Sequence, residues 1–182
     1  MRWTPVAPPV RPPCSTRRRP TWRWTARCWT PHPQQQQSPL LDRVDILTPN
    51  ETEFVALLGR HVGDRIDADA VCGLDQQRLH ALCRNLTNGT VIVTLGSSGC
   101  FVSHPESNLR GDASACYRVP AESVRAVDTT GAGDAFNGAL AASLTLKPER
   151  GFAEHVRFAV RYASRSTELY GAALAMPRMP VE

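Results

Sequence analysis

The stretch most suggestive of chemistry is residues 128–136, which read DTTGAGDAF and lead into a predicted helix over residues 134–144. Its small side chains let backbone amides approach a ligand closely. Amides at a helix N-terminus, together with the helix dipole, favour an anion there. The pattern therefore predicts a cradle for phosphate oxygens. It also places Asp134 in the first helical turn, ionised and close to where an incoming hydroxyl would lie.

Two other glycine motifs are excluded by single residues. A Walker loop needs a lysine next to its last glycine, and the only lysine of the chain, Lys147, follows the predicted helix. A dinucleotide-binding fingerprint needs a third glycine where Phe136 stands. The alternative that spacing alone leaves open is a capped helix whose glycines merely permit tight packing.

Two further blocks lie at the ends of predicted strands. Residues 48–53 read TPNETE, and they join a strand over 44–47 to a helix over 51–58. Residues 94–99 read TLGSSG, a glycine turn between strands over 91–94 and 100–103 that predicts a hairpin. Each block has an ordinary explanation as well. Glu53 is an acid in a first helical turn, where acids are favoured, and a glycine turn is common in hairpins.

Together these three blocks resemble the ribokinase family, also called the phosphofructokinase-B family, of sugar and nucleoside kinases. Residues 128–136 are similar to its C-terminal signature, DTTGAGDxF, without a mismatch. The TPNETE block resembles the family's NxxE segment, and TLGSSG resembles its TLGxxG nucleotide turn. The resemblance covers roughly residues 40–177, and within the family the pattern is most similar to that of the ribokinases.

The resemblance implies a role for each matching residue. Asp134 would take the proton from the sugar hydroxyl, while the amides of Gly131, Ala132 and Gly133 would form the anion hole for the γ-phosphoryl group of ATP. The residues implied in nucleotide binding are Asn50, Thr94, Gly96, Ser98, Gly99 and Gly133. Val160 stands where ribokinases often have a polar residue near the adenine, so an apolar contact is expected there instead.

Two metal ions are implied by the same resemblance. Glu53 would organise Mg²⁺ and its waters. Asp128 and Thr130 match the positions that bind a monovalent cation, usually K⁺, and the loop around Gly171 would add ligands to it.

The implied reaction is transfer of the γ-phosphoryl group of ATP to a pentose hydroxyl, with D-ribose giving D-ribose 5-phosphate. A kinase for another sugar or a nucleoside and a non-catalytic nucleotide-binding remnant are the alternatives. The family's N-terminal half, which supplies the sugar pocket and a lid, has no counterpart before Asn50. The chain by itself is therefore expected to bind ATP weakly and to phosphorylate ribose little or not at all.

The expected fold is an α/β domain over residues 41–182, with helices on both faces of a mostly parallel central sheet. Besides the elements above, the pattern predicts a helix from an Asp75 cap to residue 85, a strand over 117–119 and a helix over 152–168 that Gly171 can end. A strand is expected to end near Val127, and residues 59–74 are expected to form a loop.

Residues 1–40 differ from the rest in composition. They hold nine of the 15 prolines and all four tryptophans, and residues 1–41 have seven arginines and no acid. Such a head predicts no core. A disordered extension, a targeting peptide or a misread start is favoured over a nucleic-acid-binding arm.

The remaining residues carry 14 basic and 17 acidic side chains, a net charge of −3, so no nucleic-acid partner is expected for the folded part. The six cysteines form no CxxC pair, which predicts free thiols. No apolar run reaches the length of about 18 residues that a membrane span needs. A cytoplasmic enzyme acting on a small sugar and ATP is the expectation, with a homodimer in the intact family member.

Overall fold

The computed structural model describes residues 40–178. Its strands are β1 (Ile46–Leu47), β2 (Thr90–Thr94), β3 (Cys100–Ser103) and β4 (Cys116–Val119), and its helices are α1 (Glu51–His61), α2 (Ala68–Val71), α3 (Gln76–Leu86), α4 (Ala132–Leu146) and α5 (Phe152–Ser166). No helix in this part of the chain is both long and apolar enough to cross a membrane. The predicted head lies outside the described residues, apart from Leu40.

The four strands form one mixed sheet in the order β1-β2-β3-β4. Strand β1 runs parallel to β2, whereas the β2–β3 and β3–β4 pairs are antiparallel. The predicted hairpin is confirmed, with Thr94 paired to Cys100 across the turn. A mostly parallel sheet was expected, yet within residues 40–178 only the β1–β2 pair is parallel. The reason is that the short turn after β2 can return only an antiparallel strand, because parallel pairing needs a long crossover.

Helices cover both faces of the sheet. Alternate residues of a strand point to opposite faces, so Val91 and Val93 pack against α1 and α3, while Ile92 packs against α4 and α5. All three valine and isoleucine side chains are fully buried. The three-layer α/β/α architecture expected from the sequence is therefore confirmed.

Most predicted elements appear with small shifts at their ends. Helix α3 begins where expected, because the Asp75 side chain accepts a hydrogen bond from the amide of Arg78 at 2.9 Å. Strand β1 is only two residues long, and α1 continues to His61. Helix α2 lies in the segment expected to be a loop, where the Asp67 side chain accepts from the amide of Asp69 and caps one short turn.

Two expectations around the signature were wrong. Residues 121–127 form no strand. Instead the amide of Val127 donates to the carbonyl of Thr167 at 2.7 Å, so this segment is held by the end of α5 rather than by the sheet. Helix α5 ends at Ser166 instead of running to residue 168, because the amide of Thr167 turns back to the carbonyl of Ser164. Gly171 lies further along, with a left-handed φ of 92°.

The glycines of the turn between β2 and β3 have different structural requirements. A Cβ atom at Gly99 would lie 2.0 Å from the carbonyl oxygen of Val119, and its φ is +87°. Gly96 also has a positive φ, +51°, but a Cβ atom there would meet nothing within 4 Å. Gly99 is therefore required by backbone packing against the end of β4, whereas Gly96 is required only by conformation.

We expect Gly99→Ala to lower the free energy of unfolding by at least about 3 kcal/mol, because it combines a strained φ with a backbone clash. Gly96→Ala is the matched control and should cost about 1–2 kcal/mol, from φ alone. Urea unfolding followed by circular dichroism measures both. Equal losses in the two variants would show that the close approach to Val119 carries no energetic weight.

Candidate active site

The ends of β1 and β2 are tied together at one edge of the sheet. The amide of Thr94 donates to the carbonyl of Pro49 at 2.9 Å, and Asn50 forms an isolated parallel bridge with Thr94. This places the start of α1 directly beside the end of β2. The TPNETE and TLGSSG blocks, more than 40 residues apart in the chain, therefore meet at the carboxyl ends of two parallel strands, where α/β proteins commonly bind ligands.

Helix α1 begins with a capping box that uses both polar residues of the NxxE block. The Asn50 Oδ1 accepts from the amide of Glu53 at 2.9 Å, and the Glu53 Oε2 accepts from the amide of Asn50 at 3.0 Å. Glu53 thus has the ordinary helix-start role that its position favours. Its other oxygen, Oε1, has no hydrogen-bond partner among residues 40–178, and the side chain also lines the cavity described below.

Helix α4 begins at a glycine that no other residue could replace without strain. Gly131 has a φ of +79°, and a Cβ atom there would lie 2.8 Å from the Cβ of Ala172. The amide of Ala132 donates to the carbonyl of Thr129 at 3.2 Å. Among the described residues the amides of Gly133 and Asp134 have no acceptor. The first turn of α4 therefore presents free N–H groups, as the small residues of the signature predict.

These two helix starts and the end of β2 enclose one cavity of about 240 Å³. Its lining includes residues from each of the three sequence blocks. The lining residues are Thr48, Asn50, Glu53, Thr94, Thr129, Gly131, Ala132, Gly133, Asp134, Phe136 and Asn137. A cavity lined by the carboxylates of Glu53 and Asp134 and by free helix amides suits a ligand that carries both an anion and a hydroxyl.

The Asp134 side chain is exposed and lies in the first turn of α4, as predicted. Its carboxylate accepts no hydrogen bond from any described residue. The dipole of α4 favours negative charge at this end, and the carboxylate is free to accept a proton or a hydroxyl hydrogen bond.

Asp128 and Gly171 lie outside the lining of the cavity and hold two loops together. The Asp128 Oδ1 accepts from the amide of Thr130 at 2.9 Å, and the Oδ2 accepts from the amide of Gly171 at 3.0 Å. Hydrogen bonds from Thr130 and then from Gly171 lower the pKa of the Asp128 carboxyl to about 2. A further bond, from the amide of Asp128 to the carbonyl of Thr167, joins the same loops. The three residues predicted for a cation thus lie together, outside the lining of the cavity.

The glycine turn after β2 is adjacent to the cavity but does not line it. Gly96, Ser98 and Gly99 are absent from its lining, and only Thr94 of the predicted nucleotide turn contributes. The turn is closed by the amide of Leu95, which donates to the carbonyl of Gly99 at 2.8 Å. Outside the predicted set, the thiol of Cys72 donates to the Ser98 hydroxyl at 3.1 Å.

Four lining residues were missed by the sequence argument: Thr48, Thr129, Phe136 and Asn137. Asn137 follows Asp134 by three positions on a helix, and this spacing places the two on one face, so periodicity could have found it. Val160, considered for an adenine contact, is buried in the core between the sheet and α5.

The described thiols carry no metal site. Cys72, Cys83, Cys100 and Cys116 are all free, and no group of three or more metal-binding side chains occurs within residues 40–178. Burial raises the pKa of the Cys83 and Cys100 thiols to about 12. Both are therefore protonated and unreactive at neutral pH. Cys14 and Cys28 lie outside the described residues.

Comparison with known proteins identifies the family. The sequence profile of the pfkB family carbohydrate kinases matches residues 20–179. The ribokinase of Haemophilus influenzae is 34% identical over 138 residues, which are 76% of this chain and 39% of that relative.

Solved structures agree with the sequence comparison. A ribokinase from Thermotoga maritima is 29% identical, with a TM-score of 0.60, and the match covers 76% of this chain and 40% of that one. An Arabidopsis thaliana ribokinase solved with ribose and ATP is 29% identical, with a TM-score of 0.55 over 76% of this chain and 39% of that one. The chain belongs to the pfkB family of carbohydrate kinases. It spans about two fifths of the length of these relatives.

Proposed function

We propose that this chain forms the phosphate-binding and catalytic part of an ATP-dependent sugar kinase, and that D-ribose, phosphorylated to D-ribose 5-phosphate, is its substrate. The observation that carries the proposal is the single cavity that unites the free amides of α4, the Asp134 carboxylate and the Asn50–Glu53 helix start. Four relatives that are 32–34% identical to the chain are ribokinases and one that is 32% identical is a fructokinase, so ribose is the first sugar to test and fructose the second.

In this proposal Asp134 acts as the base. Its exposed carboxylate accepts the proton of the attacking hydroxyl, which increases the negative charge on the oxygen as it approaches phosphorus. The free amides of Gly133 and Asp134 donate to the oxygens of the transferring phosphoryl group. Ala132, whose amide is already bonded to Thr129, contributes less than the sequence alone predicts. Phosphoryl transfer needs mainly alignment and charge neutralisation, and this arrangement offers both.

The residues at the start of α1 fit a magnesium ion bound with the nucleotide. Mg²⁺ usually takes one or two carboxylates and completes its coordination with water and phosphate oxygens. Glu53 has one oxygen outside the capping box and shares the cavity with Asp134. Bound there, the ion would neutralise phosphate charge. Asn50, which lines the same cavity, would lie near the phosphates.

The nucleotide is proposed to extend from the cavity over the glycine turn. Thr94 lines the cavity, and Gly96, Ser98 and Gly99 continue from it along the chain. Gly96 and Ser98 are exposed, so their backbone and hydroxyl groups are accessible to a ligand.

A monovalent cation fits beside Asp128. The pKa of its carboxyl is about 2, so the group is ionised at neutral pH, and among the described residues its oxygens accept hydrogen bonds only from Thr130 and Gly171. Carboxylate and carbonyl oxygens suit a hard cation such as K⁺. Bound between the Thr130 and Gly171 loops, the cation would stiffen the segment that leads into the α4 amides.

Replacing Asp134 by asparagine should reduce phosphoryl transfer by about 10²- to 10⁴-fold, because a general base contributes that much. The affinity for ATP should stay within about twofold, since the base acts on the hydroxyl. The assay measures ADP formation from ATP and ribose by a fusion of this chain behind the sugar-binding half of a related ribokinase. The unfused chain, assayed beside it, is expected to show little or no turnover.

Glu51→Gln is the matched control, because Glu51 is also a first-turn acid but does not line the cavity. Its rate should stay close to that of the parent. A loss below about tenfold in Asp134→Asn would mean that the base is elsewhere. Faster turnover of fructose or a nucleoside than of ribose would retain the kinase and reject the proposed substrate.

Potassium should accelerate the same fusion more than sodium at equal ionic strength, because the oxygen ligands near Asp128 favour a large, weakly hydrated cation. The measurement is the initial rate in KCl and in NaCl, repeated with Asp128→Asn, in which the difference should disappear. Equal rates in the two salts for the parent protein would reject the cation site.

A further inference from the structure

One polar residue that lines the cavity at Asp134 has no part in the reaction described so far. Asn137 lines this cavity from α4, and the residue is exposed. Its side-chain amide can donate two hydrogen bonds and can also accept. It forms no hydrogen bond with any residue in the range 40–178. Its full hydrogen-bonding capacity is therefore available to a ligand.

The surrounding helix gives Asn137 no structural reason to be polar. Between residues 135 and 144 of α4 the sequence has one other polar side chain, Ser143, whose hydroxyl lies 2.8 Å from the Nδ1 of His155 on α5. Asn137 has no such partner among the described residues. Asparagine is also a weaker helix former than alanine. In the middle of α4 it therefore lowers helix stability without a compensating contact in this part of the chain.

Asn137 and Asp134 lie on the same face of α4, because residues three apart on a helix are neighbours. Both line the cavity. A helix rises 1.5 Å per residue, so Asn137 lies about 4.5 Å further along the axis than Asp134, away from the free amides that begin the helix. The order along α4 is therefore the phosphate-binding amides, then the carboxylate, then the side-chain amide.

The nucleotide and the acceptor sugar are expected at different sides of this cavity. The glycine turn, over which the nucleotide is proposed to extend, joins β2 to β3. Thr48 lines the cavity directly after β1, and β1 lies on the opposite side of β2 from β3. The side at Thr48 is therefore left for the acceptor.

The chemistry of the two α4 side chains suits neighbouring hydroxyls of one sugar. A carboxylate only accepts hydrogen bonds, whereas an amide both donates and accepts, as a hydroxyl does. A sugar has hydroxyls on several adjacent carbons, so a sugar with one hydroxyl at Asp134 brings another close to it. The carboxylate suits the hydroxyl that loses its proton, and the amide suits one that keeps it.

We propose that Asn137 is a specificity-determining residue, which binds a second hydroxyl of the acceptor sugar while Asp134 holds the hydroxyl that is phosphorylated. This inference rests on the proposed function, because it takes the acceptor hydroxyl to lie at Asp134. It adds a contact by which this chain itself, and not only a sugar-binding half, selects a polyhydroxylated acceptor.

The first test measures the affinity for D-ribose calorimetrically, in the fusion of this chain behind the sugar-binding half of a related ribokinase. Asn137→Ala should weaken ribose binding about three- to tenfold, as expected for one neutral hydrogen bond, and leave the affinity for ATP within about twofold. Asn137→Ser should fall between the parent and Asn137→Ala, because a hydroxyl can still donate and accept.

Asn85→Ala is the matched control. Asn85 is also an exposed asparagine on a helix, α3, but it does not line the cavity, so its loss should leave ribose affinity unchanged. Unfolding midpoints of the variants show that the fold is retained, which is expected because alanine is the better helix former.

The second test identifies the contact with the 1-, 2- and 3-deoxy analogues of D-ribose, each of which lacks one hydroxyl that is not phosphorylated. We expect one analogue to bind the parent fusion about three- to tenfold more weakly than ribose does and to bind Asn137→Ala as tightly as ribose does. Such a loss of the difference shows that the missing hydroxyl and the missing amide were partners.

The inference is overturned if all three analogues lose as much affinity relative to ribose in Asn137→Ala as in the parent, because a merely structural change weakens every sugar alike. A loss of ATP affinity with ribose affinity unchanged also overturns it and would place Asn137 at the nucleotide. The same conclusion follows if the parent fusion binds no ribose. A fusion that binds ribose and shows the expected pattern, but forms no ADP, would reject the kinase reaction and retain the hydroxyl contact.

Discussion

The hydrogen bond from the amide of Thr94 to the carbonyl of Pro49 is the contact on which the candidate site depends. It joins the ends of the parallel strands β1 and β2, and the capping box of α1 starts immediately after it. Asn50 and Glu53 therefore reach the same cavity as the first turn of α4. Two parallel strands need a long connection between them, so three helices separate Pro49 from Thr94 in the chain although the two residues lie side by side.

A second constraint holds the other side of the cavity. Gly131 takes a left-handed conformation in contact with Ala172, and Asp128 bonds to the amides of Thr130 and Gly171. These contacts fix the entry to α4 without using the amides of Gly133 and Asp134. The loop therefore holds these free amides in place before any ligand arrives, and a donor that is already oriented needs no reorganisation when it binds a charge.

Much of this could be predicted from the sequence, for local reasons. The small residues of 128–136 predict a tight turn into a helix, and Asp75 is of a residue type that is strongly preferred as a helix cap. Local patterns could not predict which distant segments of the chain contact each other. Val127 reads as the end of a strand, yet its amide bonds to Thr167, and helix α2 depends on a cap at Asp67 within a stretch without clear periodicity. The division of roles between Gly96 and Gly99 likewise depends on the end of β4, which no local pattern reveals.

The central claim is that the free amides at the start of α4 bind the phosphates of ATP. The most direct test is nuclear magnetic resonance of the ¹⁵N-labelled chain, titrated with Mg-ATP and followed at the backbone amides. The account predicts that Gly133 and Asp134 show among the largest shifts, with Thr94 also affected, and that Arg60 and Gly73 do not move. Saturable shifts confined to other amides, with Gly133 and Asp134 unchanged, would contradict it.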